Sequence, residues 1–118
     1  MKIGLIGAGR LGICLALLIE KAGYEVLASD NRVDYINSLQ KGIIDTAEPE
    51  VQQYLSDAKN IEFTTDNTRV IAECDLIFTL VATPSLKDGS YDVSAVWKVI
   101  DDFKAVSYTH LRAHETAY

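Results

Sequence analysis

"KIGLIGAGRLGICLALLIEKAGYEVLASD", residues 2–30, sets the fold within one continuous run. "KIGLI" (2–6) is a short apolar segment that ends in a glycine cluster, as a strand covered on both faces does. "RLGICLALLIEKAG" (10–23) follows, with Leu11, Cys14, Leu15, Leu18 and Ala22 at helical spacing and Gly23 as the stop. "EVLAS" (25–29) is a second strand that closes on Asp30. A strand, a glycine turn, a helix and a second strand make one βαβ unit, with parallel strands and a right-handed crossover.

Within that unit "GAGRLG" (7–12) fits G-x-G-x-x-G. The pattern alone is weak, because tight turns of any kind use glycine. Here a strand precedes it, a helix begins inside it and a second strand follows, which is the context that a dinucleotide-binding loop requires. Gly7 allows the tight turn, Gly9 lets the backbone come close to a pyrophosphate, and Gly12 lets helix and strand pack closely. The pyrophosphate would rest on backbone N–H groups at the positive end of the helix dipole, those of Arg10 and Leu11 among them. Asp30, 18 residues after Gly12, stands where a carboxylate accepts hydrogen bonds from an adenosine ribose. Its charge repels a 2′-phosphate, so the expected cofactor is NAD rather than NADP, with Arg32 nearby as the one feature pulling the other way. The competing reading is a turn in a similar fold that binds no nucleotide.

The remaining sequence continues the alternation. Helices are expected over 33–42, with Val33, Ile36 and Leu39 on one face, and from Pro49 through Tyr54 and Leu55. A third strand spans 61–65. Asp66 and Asn67 cap a short helix, "TRVIAEC", and a fourth strand covers 75–81. After a loop with Pro84, Gly89 and Ser90, Asp92 caps a last helix over 93–103, in which Trp97, Val93, Val96 and Ile100 are expected to be core. The fold class is α/β, a Rossmann-type doubly wound parallel sheet that stops after about four strands.

Composition narrows the function. The 118 residues are 48% apolar and 24% charged, as in a soluble globular domain. A net charge of −6 disfavours nucleic acid and anionic membranes, which reward basic surface. No apolar run approaches the roughly 20 residues of a membrane span. Met1-Lys2-Ile3 leads straight into strand-like sequence without a leader, and Cys14 and Cys74 have no CxxC spacing. The expected location is cytoplasmic, with both thiols reduced. Paired acids such as Asp101-Asp102 and Glu48/Glu50 read as solvated surface.

Downstream of the glycine loop the chain resembles the N-terminal domain of the UDP-glucose/GDP-mannose (nucleotide-sugar) dehydrogenase family. "KGIIDTAEPEV" (41–51), "FTTD" (63–66) and "LVATPSLKDGSYDVSAV" (80–96) are similar to family segments and fall in the family's order. The last is the most specific, since a generic nucleotide fold has no reason to carry it. The resemblance covers residues 1–104 and implies an NAD-dependent oxidoreductase. In this family the C6 alcohol of a sugar nucleotide becomes an aldehyde, a cysteine thiol captures it, and a second hydride transfer leaves a thioester for hydrolysis. The nucleophile and sugar-binding residues of the family come from later sequence, so no catalytic residue is expected here, and Cys14 and Cys74 read as inert small hydrophobes. The resemblance further implies a nucleotide-sugar substrate and a homo-oligomer for the full-length protein.

Carried over residue by residue, the resemblance assigns Gly7, Gly9, Arg10, Leu11 and Gly12 to the phosphate loop and Asp30 to the ribose. Thr83 would lie along the bound cofactor. Three positions depart from the family pattern: Tyr35 replaces a lysine or arginine, Glu50 a glycine and Ala82 a proline. Two rival functions share the loop and the acid. One is a nucleotide-sensing regulatory module; the other is an NAD-dependent dehydrogenase of a different type. Neither accounts for "EPEV", "FTTD" and "VATPS" arriving together.

"SYTHLRAHET" (107–116) sets His110 and His114 one helical turn apart. A structural zinc site needs four ligands and a catalytic one three with water, and nothing nearby completes the set, so no metal is expected. The stretch resembles translated read-through of a sequencing-library adapter. Residues 105–118 are therefore expected to be a non-native tail, and the chain a truncated domain that binds NAD weakly, with an unpaired apolar edge at its fourth strand.

Overall fold

Alternation of apolar runs with amphipathic segments forms the elements that it predicts. They are β1 (Lys2–Ile6), α1 (Arg10–Lys21), β2 (Glu25–Ser29), α2 (Val33–Gln40), α3 (Pro49–Asp57), β3 (Ile61–Thr64), α4 (Asn67–Glu73), β4 (Leu76–Thr79) and α5 (Ser94–Ala117). The structure, a computed structural model, describes residues 1–46, 48–81 and 86–117, with side chains described as far as residue 106. It divides into two compact units, Met1–Leu80 and Val81–Tyr118.

In the first unit the four strands are parallel in the order β3-β2-β1-β4. β1 is central, with Leu5 opposite Ala28 on one side and Phe78 on the other. Successive side chains of a strand point to opposite faces. Ile3 and Leu5, with Val26, Ala28 and Phe63, join Ile13, Ala16 and Leu17 of α1 in one apolar cluster. On the other face a Cβ at Gly4 would lie 2.6 Å from Cγ1 of Val70 in α4. Helices therefore cover both faces, as in a doubly wound sheet. β4 is an edge strand among the described residues, and its Leu76 and Phe78 are exposed.

Helix ends follow local rules. α1 and α2 both stop on a left-handed glycine. Gly23 (φ 106°) donates to Glu20 O while Tyr24 donates to Ile19 O; Gly42 (φ 77°) donates to Leu39 O while Ile43 donates to Ser38 O. This pair of bonds satisfies carbonyls that the helix end leaves open. Pro49 opens α3, and Glu50 lies in its first turn, where a carboxylate suits the helix dipole. Asp66 accepts from the N–H of Thr68 at 3.0 Å and caps α4. Replacing Asp66 with alanine is expected to lower stability by about 1 kcal/mol, read from urea-induced unfolding.

Four expectations need correction. In α1 the buried residues are Gly12, Ile13, Ala16 and Leu17, whereas Leu11 is 70% and Leu18 55% exposed. The helix is apolar on nearly every side, so spacing does not select a face; contact between Gly12 and the turn does. In α2 Ile36 and Leu39 are buried but Val33, in the first turn, is exposed. In the second unit α5 runs to Ala117 rather than 103, since no glycine or proline interrupts 104–117. Trp97 is 59% exposed there, and Val93 and Ile100 are exposed as well, so none of the three is core; Val99 is buried instead. Asp92 accepts from the N–H of Ser94, as expected of a cap. The His110 and His114 side chains lie outside the described ones.

Candidate cofactor-binding site

The site forms where β1 and β2 end side by side. Gly7 leaves β1 with φ 103°, a conformation that L side chains rarely adopt, and its N–H donates to Ser29 O at 2.8 Å. This bond ties the turn to the end of β2. A Cβ at Gly12 would lie 2.1 Å from the Gly7 carbonyl oxygen, so the helix sits on the turn only because position 12 has no side chain. Gly9 differs. Among the described residues a Cβ there would meet only Nη2 of Arg32, at 3.9 Å. Nothing among the described residues requires glycine at that point, and the space it leaves open among them faces whatever approaches the loop.

α1 begins with its donors unspent. Its first intrahelical bond runs from Ile13 N–H to Gly9 O, so the N–H groups of Arg10, Leu11 and Gly12 precede the helical ladder. Among the described residues no side chain caps this end, and no acid lies in its first turn. An anion placed there meets free donors and the positive end of the dipole.

Asp30 stands at the end of β2, with its side chain 8% exposed. Oδ2 accepts from the Ala8 N–H at 3.1 Å and from Nη2 of Arg32 at 3.0 Å. Oδ1 accepts from the Arg32 N–H at 3.0 Å and from its Nε at 2.8 Å. Burial pushes the carboxyl pKa up, but the Arg32 side chain and the N–H groups of Arg32 and Ala8 outweigh it, and the net shift is downward. The Asp30 carboxylate is therefore ionised at neutral pH. The Arg32 guanidinium lies over the Tyr35 ring, 4.2 Å from its centre, and the Tyr35 hydroxyl donates to Ala8 O. Tyr35 thus links α2 to the glycine loop at a position where the resemblance implies a cation.

Of these residues Arg32 and Tyr35 line a groove of about 510 Å³, together with Gly9, Arg10, Thr46 and Glu48 among others; Asp30 is not among its lining residues. A second hollow, about 630 Å³, lies between Leu39–Gly42 and Ile61–Phe63 and includes none of the predicted site residues. The site is assigned by donors and charge rather than by size. Gly7, Gly9, Arg10, Leu11, Gly12 and Asp30 come together as the spacing implies, whereas Thr83 and Ala82 lie outside the described residues. Cys14 borders the groove and is half-buried rather than core, a consequence of the rotation of α1. Cys74 is also half-buried; burial raises its thiol pKa, which suits an inert role. Ala8, Arg32 and Tyr35 are the participants that motif matching did not assign.

Comparison with known proteins decides the affiliation. Residues 1–111 match the family model described as the UDP-glucose/GDP-mannose dehydrogenase family, NAD binding domain. The chain belongs to this family. Its cofactor is NAD, and the sheet is the Rossmann-like sheet of these dehydrogenases. Among similar proteins, YtcA of Bacillus subtilis (strain 168) is 34% identical over 102 residues, covering 86% of this chain and 24% of YtcA. The UDP-glucose 6-dehydrogenase of Rhizobium meliloti (strain 1021) is 31% identical over 109 residues, covering 89% and 25%. The solved GDP-mannose dehydrogenase of Pseudomonas aeruginosa superposes with a TM-score of 0.84 at 26% identity, covering 90% of this chain and 25% of that one. The chain spans about a quarter of the length of the relatives that it matches. No helix among the described residues is long and apolar enough to cross a membrane.

Proposed function

We propose that the groove beside the glycine loop holds NAD. In this reading the pyrophosphate rests on the N–H groups of Arg10, Leu11 and Gly12, and the approach is left open by Gly9. The adenosine ribose is held by Asp30, and Thr83 lies along the cofactor. When bound, NAD supplies the hydride acceptor. The chain's own residues bind and orient it, and none of them performs the chemistry. The observation that carries this reading is the contrast between two glycines. Gly12 is required by the fold, because a Cβ would strike the Gly7 carbonyl; Gly9 faces open space among the described residues and is explained by a ligand.

The same reading extends to the full-length protein as an NAD-dependent 6-dehydrogenase that takes the C6 alcohol of a nucleotide sugar to a carboxylate. It would be cytoplasmic, homo-oligomeric and equipped with its nucleophile in later sequence. UDP-glucose is favoured as substrate because a relative at 31% identity carries that activity in its name. The native domain is taken to end near residue 104, with 105–118 foreign to it, on the likeness of 107–116 to adapter sequence, although the family match runs on to residue 111. Re-reading the source DNA tests the tail, and native codons through 118 in independent reads would defeat that part. For the activity, the full-length gene product should form two NADH per UDP-glucose consumed, followed by absorbance. NADH formation with no sugar nucleotide, or none with any, would overturn the proposed reaction.

A further inference from the structure

We propose that Arg32 sets the dinucleotide preference of this site by competing with the ribose for Asp30, so that NAD has to displace the guanidinium whereas NADP can retain it. The inference rests on the reading of the groove as an NAD site. A carboxylate has about four lone-pair positions. In Asp30 all four are used: Oδ1 by the N–H and Nε of Arg32, and Oδ2 by Nη2 of Arg32 and the N–H of Ala8. The two ribose hydroxyls of NAD would donate to these same oxygens, which have no acceptor position free until the guanidinium leaves.

Arg32 can leave. Its side chain is 55% exposed, against 8% for that of Asp30, and among the described residues it is anchored otherwise only by lying over the Tyr35 ring. Its position also changes what a 2′-phosphate meets. Asp30 alone would repel the phosphate, but here its charge is paired with a guanidinium whose Nη1 hydrogens lie outside the Asp30 contacts and can donate to a phosphate. The guanidinium that obstructs the ribose of NAD is therefore the counter-ion that NADP needs. Specificity is a difference between two affinities, and this side chain moves them in opposite directions.

Titration of the isotopically labelled chain with NAD and with NADP, followed through backbone amide resonances, tests this in the wild type, Arg32→Ala and Arg32→Lys. Dispersed spectra establish that each variant is folded. Arg32→Ala should bind NAD more tightly and NADP more weakly, and raise the NAD-to-NADP affinity ratio about tenfold, the effect of one charge-assisted contact. Arg32→Lys retains the cation without the fork, so it should gain NAD affinity and keep NADP binding within about threefold of the wild type. A ratio that is unchanged or lower in Arg32→Ala, with NAD binding retained, overturns the proposal and leaves the NAD reading standing. Failure of all three folded proteins to bind either dinucleotide overturns the NAD reading, and this inference with it.

Discussion

Replacing Gly12 with alanine is expected to destabilise the domain by about 2–4 kcal/mol and to abolish NAD binding. The sign is informative, because alanine is the better helix former, by about 1 kcal/mol within a helix. Helix propensity alone would make this variant more stable. The opposing term is steric: the added Cβ would lie 2.1 Å from the Gly7 carbonyl oxygen, a backbone atom that no rotamer change can move. Either α1 lifts away from the turn or the turn leaves the Ser29 carbonyl that anchors it at 2.8 Å. Gly9→Ala supplies the contrast. Among the described residues its Cβ meets only Nη2 of Arg32 at 3.9 Å, so stability should be kept while NAD affinity falls about tenfold. Urea-induced unfolding, set beside an NAD titration, separates the two glycines.

Asp30→Ala is expected to lower stability by about 2–3 kcal/mol and NAD affinity about a hundredfold. The stability loss has two sources. The Ala8 N–H loses its buried acceptor, and Arg32 loses the carboxylate to which three of its N–H groups donate. Exposure of Arg32 limits the second, since a half-exposed guanidinium returns to water. The binding loss follows from removing the acceptor for two ribose hydroxyls. A pH dependence accompanies it. Burial alone would raise the Asp30 pKa, but the Arg32 side chain and the two backbone N–H groups hold it below its ordinary value. A depressed carboxyl pKa contributes stability that is present above the unfolded value, about 4, and lost as pH falls through the folded value. The wild type should therefore exceed Asp30→Ala in thermal midpoint at neutral pH, and the gap should close below about pH 4. A gap that widens in acid would mean that Asp30 is not the paired carboxylate described.

The sequence exposed the parts of this domain that rest on short-range rules. Gly23 and Gly42 end their helices with the left-handed geometry that their positions imply, Pro49 opens α3, and Asp66 caps α4. The parallel sheet followed from the alternation of strands and helices, and its order β3-β2-β1-β4 is that of the doubly wound class. The rotation of α1 was not readable, because Leu11, Ile13, Cys14, Leu17 and Leu18 are all apolar and the deciding contact, Gly12 against Gly7, joins helix to turn. Extension of α5 to Ala117 escaped for a similar reason: no residue after Phe103 stops a helix, and the expected stop came from a fading resemblance rather than from chemistry. At the site, the glycines and Asp30 were legible from spacing, as was the presence of an arginine nearby. What spacing does not encode is that Arg32 turns back on Asp30 and lies over Tyr35, a two-residue return that depends on side-chain conformation.

Residue-resolved NAD titration of the wild-type chain, followed through backbone amide resonances to millimolar cofactor, tests the central claim most directly. It detects weak binding and reports where the binding occurs. Saturable shifts should concentrate on the amides of Gly7 to Ile13 and Asp30 to Arg32, and should vanish in Gly12→Ala. A folded chain whose shifts are absent, or instead gather around Leu39–Gly42 and Ile61–Phe63, would contradict a dinucleotide site at the glycine loop.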